Sequence, residues 1–143
     1  MEFAGVNYLA VLVAAALAWI LGGVWYHVLA GPWLAAQGKS RDAFAAEMQA
    51  RRGTSAFYFP FVLAFVALLI MAWVLAGTMA HVGPITIRNG IVSAVFVWFG
   101  FVLTTIAVNY AFSGKKPMLT VIDAGHWLAV LVLMGVVVGV FGV

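Results

Sequence analysis

Four long apolar runs, separated by short polar connections, dominate the pattern of the chain. They extend over residues 8–29, 57–80, 90–112 and 119–143. None shows the strict alternation of a half-buried strand, and each is about 22–25 residues long, enough for a helix to cross a hydrocarbon core of about 30 Å. In lipid the backbone finds no outside hydrogen-bond partner, so an isolated run of this kind must be helical. The pattern predicts an all-α, polytopic transmembrane four-helix bundle, forming one integral membrane domain over residues 1–143. The first run lies behind an N-terminal segment containing Glu2 and no lysine or arginine, and it is longer than a signal-peptide core. It is expected to be a retained span.

The connection between runs one and two is the longest, and "SRDAFAAEMQARRG" within it reads as a short amphipathic helix. Ser40 is placed to cap it, Asp42 suits its positive end, and Gly53 can end it. Phe44 and Met48 share one face, and Glu47 can pair with Arg51 on another. This helix is expected on the cytoplasmic membrane surface, either lying on the headgroups or docking a soluble partner.

Composition agrees with the pattern. Hydrophobic residues make up 66% of the 143 and charged residues 8%, with a mean hydropathy of +1.15. Soluble domains carry about 25% charged residues. Cysteine is absent, which removes disulfides, thiolate metal sites and cysteine nucleophiles. The net charge of +3 comes from basic residues confined to the connections, where they orient the chain instead of recognising nucleic acid. Lys39, Arg41, Arg51, Arg52, Lys115 and Lys116 lie in the first and third connections and Arg88 alone in the second, a distribution of six against one. Positive-inside then places the first and third connections in the cytoplasm and both termini outside. Trp25, Tyr26, Trp33, Phe57, Tyr58, Phe59, Tyr110 and Phe112 cluster at the span ends on the basic side, where aromatic belts form.

Polar residues inside the runs are the candidates for chemistry, because a charge at the bilayer centre costs about 2.5–3.5 kcal/mol on insertion scales. His27, Asn109, Asp123 and His126 all fall at similar depth near the cytoplasmic ends, and Asp123 and His126 share a helix face at i,i+3. They form a candidate polar cluster. A hydrogen-bonded knot would have Asp123 accept from Asn109 or a histidine, or reach toward Lys116. Two imidazoles and a carboxylate could also hold zinc or non-haem iron. Gly23 before His27 and Gly77 before His81 would leave room for a tetrapyrrole, although these histidines lie at opposite faces. No catalytic constellation is present, and no cofactor or metal is assigned. Ala14, Ala18 and Gly22 on span one, and Gly135 and Gly139 on span four, have the four-residue spacing that lets helix backbones approach closely. Spans one and four are expected to pack through them within the chain, with a contact between copies as the alternative for span four.

The stretches "NYLAVLVAAALAWILGGVWY" and "NYAFSGKKPMLTVIDAGHWLAVLVLMGVVVG" resemble a family of short bacterial inner-membrane proteins, the domain of unknown function seventeen-sixty-one. The resemblance rests on Asn7, Trp25, Tyr26, Trp33, Asn109, Asp123, Gly125, Met134 and Gly135. His27 and His126 depart from it, since the family often has a serine after the Trp-Tyr pair and a tyrosine after Asp-Ala-Gly. The resemblance implies a four-span membrane protein of unassigned activity. Together these readings favour a non-enzymatic bacterial inner-membrane protein, homo-oligomeric or an accessory subunit, with the lipid bilayer and itself or other membrane subunits as partners. The alternative is a transporter or channel for a small solute or proton using Asp123. C-terminal reporter fusions should read as periplasmic; a cytoplasmic reading would reverse the orientation.

Overall fold

A computed structural model of the chain describes residues 5–142; Glu2 and Val143 lie outside them. The order is α1 (Tyr8–Val28), α2 (Ala30–Gln37), α3 (Arg41–Arg51), α4 (Ser55–Val82), α5 (Ile87–Val97), a stretch of π-helix (Trp98–Leu103), α6 (Thr104–Phe112) and α7 (Pro117–Phe141). Four helical spans are long and apolar enough to cross a membrane: Tyr8–Val28, Ser55–Val82, Ile87–Phe112 and Pro117–Phe141. They form an antiparallel bundle in which α7 is central, touching α1, α2, α4, α5, α6 and the π stretch.

The ends of the helices follow from local chemistry. Asn7 caps α1 by accepting from the Ala10 N–H at 3.1 Å, and Ser40 caps α3 through the Ala43 N–H at 3.1 Å. The first apolar run ends at residue 29, and the structure places a further helix directly after it, across Gly31 and Pro32. α1 breaks at Leu29, one turn before Pro32, because proline would clash with the carbonyl four residues earlier. In α2 the same proline falls in the first turn, where its missing N–H costs nothing.

Small residues set how closely the bundle closes. Ala14 and Ala18 are fully buried in the core with Leu68, Ala72, Val130 and Met134. Gly135 and Gly139, expected against span one, instead meet the start of span three. A Cβ on Gly90 would lie 2.6 Å from the Gly135 carbonyl carbon, and one on Gly139 would lie 2.6 Å from the Ile87 Cα. Each obstacle is backbone, so only a wider helix separation could relieve it. Gly22, the third member of the first stripe, packs against His126 of α7, 3.1 Å from its Nε2 to the place of a Cβ.

Gly135→Ala should destabilise the detergent-solubilised protein by about 3 kcal/mol, the upper part of the usual overpacking range. Gly100→Ala, where a Cβ has nothing within 4 Å, should stay within about 1 kcal/mol of the wild type. Thermal unfolding of the two variants side by side checks the contrast.

Candidate functional site

The polar centre forms where the ends of α1 and α6 meet the start of α7. Asp123 lies in the second turn of α7 and is 7% exposed. Its Oδ1 accepts from the Tyr26 hydroxyl at 2.8 Å and from the Trp33 indole N–H at 3.1 Å; its Oδ2 accepts from the Tyr110 hydroxyl at 2.6 Å. The flanking carbonyls are addressed in the same way. The Trp25 indole donates to Ile122 O at 3.2 Å and the Trp98 indole to Ala124 O at 2.7 Å. Five ring donors from α1, α2, the π stretch and α6 thus converge on three consecutive residues of α7.

Each part of this arrangement has a local cause. Trp25 and Tyr26 are adjacent on the last turn of α1. The break at Leu29 folds α2 over the start of α7, which brings Trp33 to the carboxylate. Gly125 admits the Trp25 indole, since a Cβ there would lie 3.3 Å from its Cζ2. A helical carbonyl keeps a second lone pair after its intrahelical bond, so the two indoles add acceptance without breaking the helix.

All three partners of Asp123 can donate, which suits an ionised carboxylate able only to accept. Charge-assisted bonds contribute about 1.5–3 kcal/mol each, and three exceed an insertion cost of about 2.5–3.5 kcal/mol. The only ion pairs among the described residues belong to Glu47, so no lysine or arginine pairs with Asp123.

Of the four residues expected to cluster, Asp123 and His126 are buried together. His126 is 6% exposed, with its ring centre 4.9 Å from that of Tyr26 and 4.8 Å from that of Trp127. Its Nδ1 is buried without a hydrogen-bond partner. His27 and Asn109 are exposed, and neither bonds to Asp123. Their chain neighbours Tyr26 and Tyr110 take those places. Lys116 does not reach Asp123 either; its Nζ donates to Ala35 O at 3.0 Å. Among the described residues no three histidine or carboxylate side chains come together in a way that could hold a metal ion. His81 sits far from this centre, its Nδ1 at 2.7 Å from Gly77 O. Two shallow apolar grooves, around Trp19 and Phe61 and around Tyr8 and Trp73, lie on the α1–α4 side away from Asp123.

Tyr26, Trp33 and Tyr110, expected from the sequence only as part of an aromatic belt, are the hydrogen-bond donors to Asp123. A signal was present: Trp25, Tyr26, Trp33, Asp123 and Gly125, five residues that carry the family resemblance, all fall in this one centre.

Four membrane-capable helices, three of them joined by a buried polar centre, define a multi-pass membrane protein. The chain belongs to the family described as "Protein of unknown function (DUF1761)", whose model matches residues 9–139. No curated protein and no solved structure matches it.

Asp123→Leu would leave one indole and two hydroxyl donors unpaired, at about 1–3 kcal/mol each. Asp123→Asn retains an acceptor, and a tyrosine hydroxyl can turn to accept from the new amide, so its loss should be nearer 1 kcal/mol. Tyr110→Phe should fall between the two. Thermal unfolding in detergent checks the order; equal loss in the Leu and Asn variants would contradict a hydrogen-bonded centre.

Proposed function

We propose that this is a non-enzymatic protein of the bacterial inner membrane that works by assembly, as a homo-oligomer or as an accessory subunit of a larger membrane complex. The observation that carries the reading is the surface of span three. Its first turns pack on α7 through Gly90 and its last turns are held through Tyr110, while Phe96, Phe99, Phe101 and Phe112 are 64–92% exposed. Trp98 holds the middle of the span to α7 as well, so the span is fixed along one side and offers neighbouring helices exposed aromatic side chains on the other. Van der Waals packing on such a face is a main source of helix association in lipid. Asp123 supports the same reading, because its bonds to Tyr26, Trp33 and Tyr110 hold the bundle together.

The alternative, movement of a small solute or proton through Asp123, draws on one observation. The buried Nδ1 of His126 has no partner and lies one helical turn from the carboxylate. In that case Asp123→Asn would fold normally and abolish flux in proteoliposomes.

Mass measurement of the full-length protein taken from its native membrane in lipid discs tests the leading reading. The expected result is a species above the 15.3 kDa of one chain, containing further copies or a foreign subunit. Phe99→Ala with Phe101→Ala should convert it to monomer without unfolding. A strictly monomeric wild type with no co-purifying subunit would overturn the reading.

A further inference from the structure

Six of the seven basic residues lie in the first and third connections, and the structure brings those connections together over α2. Lys116, from the turn before α7, donates to Ala35 O at 3.0 Å, close to the C-terminal end of α2. Arg41, at the start of α3, places its Nη2 3.0 Å from where a Cβ of Gly31 would stand. Gly31 and Ala35 are four residues apart, on one helix face and about 6 Å apart along the axis. Two exposed cations therefore flank one face of a short helix, roughly one turn from each other.

Among the described residues, neither is neutralised by an ion pair. Glu47 accepts from Lys39 at 2.9 Å and from Arg51 at 2.6 Å, and these are the ion pairs among the described residues. The Lys39 hydrogen bond, followed by the charges of Lys39 and Arg51, holds the Glu47 carboxyl below its ordinary range. Asp123 is enclosed by its three donors. Asp42, next to Arg41, forms no ion pair, and among the described residues Arg41, Arg52, Lys115 and Lys116 have no carboxylate partner. The site also lies beside a headgroup layer by construction, since α2 directly continues span one and Lys116 directly precedes span four.

We propose that the Gly31–Ala35 face of α2, flanked by Arg41 and Lys116, binds the phosphodiester headgroup of an anionic phospholipid of the surrounding bilayer. Gly31 has no side chain, which lets the Arg41 guanidinium lie against α2 one turn from Lys116, so a phosphate can bridge the two cations from the solvent side. Arg41 supplies a planar fork for phosphate oxygens and Lys116 a compact charge. Juxtamembrane basic residues near an anionic surface are worth about a fivefold gain in binding each.

Native mass spectrometry of the full-length protein in neutral detergent, titrated with phosphatidylglycerol or phosphatidylcholine, tests this. Phosphatidylglycerol should be retained in preference to phosphatidylcholine. Arg41→Gln should weaken retention about fivefold and Arg41→Gln with Lys116→Gln about 25-fold, whereas Arg88→Gln, on the opposite side, should leave it unchanged. The Arg41→Gln variant keeps the result decisive if loss of the Lys116 bond unfolds the double variant, because among the described residues Lys116, and not Arg41, is hydrogen-bonded to α2. Equal retention of both lipids, wild-type retention in folded Arg41→Gln, or complete displacement of the lipid by millimolar inorganic phosphate would each overturn the proposal, the last by reassigning the site to a free anion.

Discussion

A carboxylate inside a membrane persists only where donors surround it, and the donors that surround Asp123 come from three different parts of the chain. Tyr26 arrives with the end of the first span, Trp33 with the short helix that follows it, and Tyr110 with the end of the third span. Each bond therefore fixes one element relative to α7. The indoles of Trp25 and Trp98 extend the constraint to the backbone on either side. Lipid supplies no hydrophobic drive between helices, so directional bonds of this kind and close packing must set their arrangement. At this end of the bundle the bonds do so, and at the other end the Gly90–Gly135 approach does.

The two ends use opposite chemistry for the same purpose. Near Gly135 and Gly139 the side chains are absent, and backbone packs on backbone. Near Asp123 the side chains are large and aromatic, with apolar rings that fill space between helices and polar tips that reach inward. Tyrosine and tryptophan suit that position because one residue supplies both packing area and a donor. His126 is enclosed by the same rings, and Gly22 on α1 leaves it room.

The spans were legible because a membrane imposes a length and a polarity that no other constraint imitates. The polar centre was legible only in part. Asp123 and His126 stood out as polar residues one turn apart in an apolar helix. Their surroundings were read from depth, which selected His27 and Asn109; the residues that close on Asp123 are the immediate neighbours Tyr26 and Tyr110. One residue along a helix changes depth by about 1.5 Å but direction by about 100°. With all four spans apolar around their circumference, no amphipathic stripe fixed that direction. α2 was hidden for a different reason: proline ends one helix and fits the first turn of the next, and the sequence shows only the proline.

The π stretch at Trp98–Leu103 carries a consequence for how span three is phased. A widened turn of this kind accommodates one residue more than an α-helix would. Trp98 and Tyr110, twelve residues apart, would in an unbroken α-helix point about 120° away from each other. Taking up one residue removes about 100° of that difference and leaves both rings facing α7, where both find their acceptors. The third span thus holds one surplus residue whose role is rotational. A chain shortened by a single residue there, at Gly100, would be expected to return to regular α-helix with both contacts still in phase, a tolerance that an ordinary membrane helix, locked at both ends, does not have.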